Sequence, residues 1–490
     1  MNGPLQSDAR LVRDRCFING EWVAADSAHT FEVTDPATGS SIATVASAGA
    51  GEARRAIEAA ANAFGAWSAI PAIARSDVVM RWCALIRDNS EDLARLLTTE
   101  QGKPLHESRA EIEYSAAFVR FFAEEARRTY GETIPAARQD SRIVVLKQPV
   151  GVVACITPWN LPSAMIARKA APALAAGCTV VVKPAEATPL SALALAVLAE
   201  EAGLPAGVIN VVTGEPEAIG REFCSNPSVR KLSFTGSTRV GRLLAAQCAP
   251  TVKRLSLELG GHAPLIVFDD ADLDLAVRGA VFSKYRHSGQ ACICTNRVLV
   301  HASLYEEFNK RFAFAVAALK LGNGFEPEVD VGPLINVAAV AKAASHVEDA
   351  LDRGAQLLAG GSTPSDRGPC FFRPTAVADV TTEMRITREE TFGPVAAVMR
   401  FEDETEAVRL ANQTEYGLAA YFYSRDYARL WRVAEQLECG MVGVNSGFLS
   451  NENAPFGGIK QSGYGREGSH HGLSEYLDLK YLNVELHPQP

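Results

Sequence analysis

The chain has 490 residues, 47% of them hydrophobic and 21% charged, with a formal net charge of −9. This is ordinary globular composition at a length that predicts about two to four domains. The acidic balance, with no Lys/Arg run, argues against a nucleic-acid or membrane partner. The ten cysteines are scattered, with no CxxC pair and no Cys/His spacing for a metal, which argues against a disulfide-stapled secreted protein or a zinc site.

Met1 to Arg15 is polar and carries no apolar signal core. Apolar runs such as Ala170–Val182 are interrupted by Pro172 and Gly177 and fall short of the roughly 18 residues a membrane span needs. A cytoplasmic protein is the default expectation. Cys16–Val23 alternates around Asn19-Gly20, a hairpin signal. Residues 49–129 read as helices, with Ile57, Ala60, Phe64 and Trp67 at helical spacing and Gly102 and Pro104 as punctuation. They are expected to cover a sheet rather than form a separate domain.

From 142 the texture changes. Short strands at Ile143–Leu146 and Gly151–Ile156 lead into an alternation of helices (Ser163–Ala176, Ser191–Ala202, Pro216–Cys224, from Ser237) and strands (Cys178–Val182, Val208–Val212, Arg230–Phe234). This pattern predicts βαβ units and a doubly wound parallel sheet. A second α/β region from Ala263 to Val444 adds helices Asp272–Phe282, Tyr305–Leu319 and Thr405–Ala411. Its strands are Arg297–Val300, Val395–Phe401 and Leu418–Ser424. The tail Ser474–Leu486 is strand-like, and no pairing for it within one chain is evident.

Several loops carry candidate chemistry. Ser288-Gly-Gln-Ala-Cys292 delivers a cysteine from a turn into a strand, a position suited to a nucleophile, although two buried cysteines at Cys292 and Cys294 are the ordinary alternative. Thr235-Gly-Ser-Thr-Arg-Val-Gly241 sets Gly236 and Ser237 at a helix N-terminus able to accept a phosphate. It is equally readable as a plain β–α turn. Lys183 and Glu186 lie beyond the carboxyl end of a strand, where doubly wound sheets bind ligands, or in a solvated loop. Asn160, between Pro158 and Pro162, is a fixed amide donor for an oxyanion or a turn asparagine. Glu258 sits among leucines before Gly260-Gly261, a setting that raises a carboxyl pKa toward general-base use or marks a buried ion pair.

Together these segments resemble the NAD(P)-dependent aldehyde dehydrogenase superfamily over nearly the whole chain. Thr157-Pro-Trp-Asn160, Lys183-Pro-Ala-Glu186, Phe234-Thr-Gly-Ser237, Leu257-Glu-Leu-Gly-Gly261, Gly289-Gln-Ala-Cys292, Glu390-Thr-Phe392 and Pro455-Phe-Gly-Gly458 stand in the family's order. Glu100-Gln-Gly-Lys-Pro104, Arg168-Lys169, Cys292-Ile-Cys294, Gly465-Arg-Glu-Gly-Ser469 and Glu475-Tyr-Leu-Asp-Leu-Lys480 look like the succinate-semialdehyde branch. His287 stands where that branch usually has asparagine, Ala291 where it usually has threonine, and His262 where asparagine is common. Both histidines are expected to flank the site.

The resemblance implies a cofactor domain (1–131 and 151–258), a catalytic domain (259–470) and a small β projection (132–150 and 471–490) exchanged in a homodimer or homotetramer. It implies catalysis by Cys292, Glu258 and Asn160 through a cysteine thiohemiacetal and thioester. Thr157, Pro158, Trp159, Lys183, Glu186, Gly236, Ser237, Glu390 and Phe392 are expected to hold the dinucleotide, NAD preferred and NADP second, with no metal. Arg168, Arg286 and Ser450 match the branch's carboxylate-binding set, so the expected partner is a small anionic aldehyde. The alternatives to succinate semialdehyde are glutarate semialdehyde and sulfolactaldehyde. A CoA-acylating enzyme and a non-catalytic binding protein on the same scaffold are the rival classes. Cys294 is a candidate redox partner of Cys292, although the loop must bend to bring two such Cα atoms inside the ~7 Å bridging limit.

Overall fold

The computed structural model describes residues 8–486. Residues 1–7 and 487–490, parts of the expected first domain and projection, lie outside the described residues. Val152–Ile156 is a run of Val, Ala, Cys and Ile and Thr179–Lys183 has three valines at its centre, both buried along almost their whole length. Such strands need both faces covered, and that need organises the first half of the chain. Val153, Cys155, Val180 and Val182 point to one side, against Trp82, Phe118, Leu174 and Leu195. Val152, Ala154 and Val181 point to the other, against Ile57, Ile219, Phe223 and Leu244. The period of two distributes one strand between two helical layers.

This sheet has eight strands in the order Glu21–Val23, Cys16–Ile18, Ile209–Val211, Thr179–Lys183, Val152–Ile156, Val229–Thr235, Arg254–Glu258, Gly463–Tyr464. The run from Ile209–Val211 to Arg254–Glu258 is parallel. The chain winds outward from Val152–Ile156 and then returns to its other side at Val229–Thr235. A crevice therefore opens at the carboxyl ends of these two neighbours. The expected N-terminal hairpin is present, with Asn19 at φ 54° and Gly20 at φ 79°, the double left-handed turn that matches strand twist.

The four helices Ala50–Ala69, Ala72–Asp88, Ser90–Gln101 and Leu105–Glu125 form the cover expected of residues 49–129. Gly102 closes the third at φ 93°, where a Cβ would sit 2.6 Å from Pro333 and 2.8 Å from Pro36. A hairpin at Thr30–Thr34 and Ser41–Ala46 is not among the expected elements, although Thr30–Thr34 alternates polar and apolar residues. The expected helix Ser163–Ala176 is present as Ala164–Ala176, with Pro172 inside it.

The second sheet has seven strands in the order Gln356–Ala359, Thr375–Ala378, Val395–Phe401, Thr295–His301, Ala263–Val267, Ala419–Tyr423, Met441–Val444. Leu259–His262 links Arg254–Glu258 to Ala263–Val267, so the carboxyl edge of the first sheet faces the amino edge of the second. Residues 463–464 return to the first sheet opposite Leu257 and Glu258. The stretch 259–470, expected as one domain, is thus shared between the sheets.

The tail strand Leu477–Glu485 pairs within its own chain. It lies antiparallel to Ser141–Pro149 from Leu477↔Pro149 to Glu485↔Ser141, with Glu132–Ile134 on the far side. Leu479 and Tyr481 on this strand are 69% and 65% exposed. Among the described residues, no helix is long and apolar enough to cross a membrane.

Candidate active site

The loop before Thr295–His301 is held in an uncommon shape. His287, Ser288 and Gly289 have φ of 51°, 57° and 74°, and two of these carry a Cβ that disfavours that region. At Gly289 a Cβ would lie 2.2 Å from the Gly393 carbonyl, so only glycine fits. Ser288 Oγ donates to Gly332 O at 2.9 Å, and Gln290 Oε1 accepts from Ile335 N at 3.0 Å. These contacts place Cys292 at the amino end of its strand, partly exposed between buried Ala291 and Ile293. At Gly261 a Cβ would lie 2.4 Å from the Cys292 carbonyl. The Gly260-Gly261 link is therefore what lets the strand carrying Glu258 approach the cysteine.

Asn160 follows strand Val152–Ile156. Its Nδ2 donates to Gln290 O at 2.9 Å, which leaves the second amide hydrogen available. The loop is fixed by charges that the sequence reading passed over. Lys103 Nζ donates to Asn160 O at 2.7 Å and pairs with Glu111 at 2.5 Å, both side chains fully buried. Glu111 Oε1 in turn accepts from Ser163 N and Ala164 N at 3.0 and 3.2 Å, capping the next helix. Lys103 stood in a quoted motif without a role, and Glu111 carried no sequence signal beyond helical burial.

Glu258 is buried, and neither carboxylate oxygen has a partner. Burial first, and then the neighbouring Glu467, raise its carboxyl well above the usual range. Burial also pushes the Cys292 thiol up to about 12, against the pull of Arg168.

Cys292 opens on a cavity of about 270 Å³ whose walls include Tyr114, Met165, Phe282, Phe448 and Phe456, with Arg168, Arg286, His287 and Ser450 among its polar groups. The two arginines expected to bind the substrate carboxylate both line this cavity and differ in their partners. Arg168 contacts Glu467 at 2.7 Å and lies 4.0 Å from the Phe456 ring centroid. Glu467 also pairs with Lys169. Arg286 lies between Phe282 and Phe448, 5.5 Å from each ring centroid, and its buried Nε has no partner. Among the described residues no carboxylate forms an ion pair with it. The expectation for His262 is corrected. It is fully buried with Nε2 3.0 Å from Ile386 O and does not line this cavity, because its strand start directs it under the Arg385–Thr387 turn. Cys292 and Cys294 are both free, and Cys294 Sγ lies 3.8 Å from Arg286 O.

The crevice of the first sheet gathers the remaining candidates. Thr157 is buried with an unpartnered Oγ1; Pro158 follows it, and Trp159 meets Phe392 edge-on at 5.6 Å. Lys183 contacts Glu186, and burial pushes its ammonium down to about 7. Ser237 Oγ caps the helix Thr238–Cys248 by accepting from Val240 N at 3.4 Å. At Gly236 a Cβ would lie 2.5 Å from the Phe234 ring. Glu390 Oε1 accepts from Gly261 N at 3.1 Å, and burial pushes its carboxyl up to about 7. The orphaned Thr157 hydroxyl, a bare glycine at a helix N-terminus, and a Lys/Glu pair beyond a strand end suit a dinucleotide's pyrophosphate and ribose.

The family model for the aldehyde dehydrogenase family matches residues 22–482. The chain is 56% identical over 479 residues to a glutarate-semialdehyde dehydrogenase of Pseudomonas putida, covering 98% of this chain and 99% of that one. It is 54% identical over 480 residues to an NADP(+) succinate-semialdehyde dehydrogenase of Escherichia coli, with 98% and 99% covered. The crystal structure of succinate-semialdehyde dehydrogenase from Burkholderia pseudomallei superposes with a TM-score of 0.97 at 59% identity, covering 99% of this chain and all of that one.

Two predictions follow from the geometry. Lys103→Met leaves Glu111 buried and unpaired, and lowers stability by about 3–5 kcal/mol in chemical denaturation while reducing turnover. Alkylation of Cys292 by iodoacetamide, followed by mass spectrometry without cofactor, accelerates about tenfold per pH unit from about pH 7 to 9 without a plateau, because the reactive thiolate stays a minor species throughout.

Proposed function

The chain belongs to the aldehyde dehydrogenase family and is an NAD(P)-dependent aldehyde dehydrogenase, and on that premise we propose that it oxidises a short aldehyde with an anionic tail, succinate semialdehyde in first place. The observation that carries this reading is Arg286, a buried guanidinium in the wall of the Cys292 cavity with an unpartnered Nε and no protein counter-ion among the described residues. A buried charge is costly unless paired. A carboxylate tail would supply the missing partner, with Ser450 as a hydroxyl donor. Arg168 is engaged by Glu467, a carboxylate it shares with Lys169, and is therefore less free to meet the tail than Arg286. Glutarate semialdehyde, one methylene longer, is the second reading, supported by the Pseudomonas relative.

In the proposed mechanism the Cys292 thiol gives its proton to solvent water, and the thiolate bonds to the aldehyde carbon as the C=O π pair moves to oxygen. The free Asn160 amide hydrogen and the Cys292 backbone N–H hold the resulting oxyanion. NAD(P), when bound, supplies the acceptor for the hydride that leaves this carbon. Thr157, Pro158, Trp159, Lys183, Glu186, Gly236, Ser237, Glu390 and Phe392 would hold it. The thioester left on Cys292 is cleaved by water whose proton goes to Glu258, a role that suits a carboxylate raised by burial. The division into cofactor, catalytic and projection parts belongs to the same proposal. So does assembly through the projection, supported by its exposed Leu479 and Tyr481.

An NADH assay over a panel of C3–C6 semialdehydes and butanal tests the substrate. One methylene is worth about 1–3 kcal/mol in such a pocket, so succinate and glutarate semialdehydes separate clearly. Arg286→Ala raises KM for the preferred semialdehyde by roughly 10–100-fold, from about 1.5–3 kcal/mol of charge-assisted bonding, and affects butanal far less. Equal losses on both substrates contradict the anionic-tail reading.

For the cofactor, the Glu186 carboxylate accepts from a free ribose hydroxyl and repels a 2′-phosphate, and Lys183 offsets part of that repulsion. The expected NAD preference is about 10- to 100-fold in kcat/KM, or ~1.4–2.8 kcal/mol. Glu186→Ser removes most of it by improving NADP. An unchanged preference in that variant assigns the choice to another residue.

A further inference from the structure

One pair on the cavity wall has no part in the chemistry above. His287 and Glu107 both line the cavity, with side chains 14% and 11% exposed. Both Glu107 oxygens accept from the His287 backbone N–H, at 2.9 and 3.0 Å. The same carboxylate lies 3.3 Å from His287 Nδ1. Helix Leu105–Glu125 thus holds both the left-handed backbone of His287, at φ 51°, and the face of its ring. Nδ1 is buried and makes no hydrogen bond in this conformation, although the Glu107 carboxylate is the charged group next to it.

We propose that His287 is a specificity-determining residue, a second cationic ligand for the substrate's anionic tail beside Arg286, with Nδ1–H directed to Glu107 and Nε2–H to the tail. The inference rests on the anionic-tail reading above and assigns that tail a second, titratable partner. It also gives the tail a second cationic partner where Arg168 is already engaged by Glu467.

The charges around the ring set the direction of its response. Burial holds the imidazole below its ordinary range, Lys103 and Arg286 act the same way, and Glu107 opposes them. The other groups facing this cavity are His106, Glu111 and Tyr114 on the same helix, and Arg168 and Cys292 from other elements. Without substrate the ring is neutral near pH 7. An anionic tail between Arg286 and His287 compensates the guanidinium and offers Nε2–H an acceptor, so the ring takes a proton from solvent as the tail binds. A protonated ring also screens the tail from the Glu107 carboxylate. By linkage, tail affinity is greatest at low pH and falls as pH rises through the pKa of the complex.

The test is the ratio of kcat/KM for succinate semialdehyde to that for butanal, from about pH 6 to 8.5. Titration of Cys292 and Glu258 is common to both substrates and cancels in the ratio. The expected ratio falls about tenfold across this range, through KM rather than kcat. A sulfonate-tailed aldehyde follows the same profile, which separates the effect from titration of the tail itself. His106→Asn retains the profile, His287→Asn flattens it, and Glu107→Gln moves its midpoint to lower pH.

Calorimetry of succinate binding to the wild-type enzyme, in two buffers of different ionisation enthalpy near pH 7, provides a readout independent of any variant's folding. Net proton uptake supports the proposal, and none overturns it. A pH-independent ratio, with the Arg286→Ala selectivity loss intact, overturns the role of His287 and leaves the anionic-tail reading standing. If Arg286→Ala also preserves selectivity, the reading beneath it has failed.

Discussion

A fully buried ion pair, Lys103 with Glu111, is the constraint on which the rest of the site depends. Lys103 holds the carbonyl of Asn160, and Glu111 caps the helix Ala164–Ala176. That helix carries Arg168 and Lys169, which together hold Glu467. Glu467 is in turn the charge that, after burial, raises the Glu258 carboxyl. An apolar pair of similar volume would pack as stably, since the desolvation of two ions offsets much of their attraction. It would offer no donor to the Asn160 loop and no acceptor to the helix start. The pair's contribution is positional.

The two sheets supply what this network needs to act on. The first presents the carboxyl ends of its parallel strands, and the second presents the amino end of the strand after Cys292. Gly260 and Gly261 allow the near contact between them, since a Cβ at Gly261 would collide with the Cys292 carbonyl. Cys292, the Asn160 amide and the unpartnered Glu258 carboxyl group therefore come from separate elements. The net charge of −9 would repel an anionic substrate at long range. The cavity counters it locally with Arg286, and a deep apolar wall strengthens that local field.

Legibility in the sequence followed the range of the interactions. Strands such as Val395–Phe401 and helices such as Tyr305–Ala317 were readable because their periodicity is local, and the hairpin at Asn19-Gly20 because its turn chemistry is. The loops holding Cys292, Asn160, Glu258 and Lys183 were readable as motifs. Arg168 was placed in the cavity, yet its pairing with Glu467 was not readable, since the two lie about 300 residues apart in the chain. His262 was expected at the site and lies instead beneath Ile386. Tyr114 and Glu111 sit on an amphipathic helix whose pattern marks burial and is silent about which cavity is reached.

The sequence by itself determined the α/β class, the alternation that winds the first sheet, and the ordered motifs by which the chain resembles its family. These depend on residues close in the chain, where covalent geometry and period decide the outcome. Only the tertiary structure decided which arginine keeps a free charge, that Lys103 and Glu111 anchor the Asn160 loop, that the tail strand pairs with residues 141–149 of its own chain, and that His287 rests against Glu107. Each of these is a pairing across long sequence separation. Burial makes an unpaired charge or edge costly there, and which partner satisfies it is set by how the layers pack.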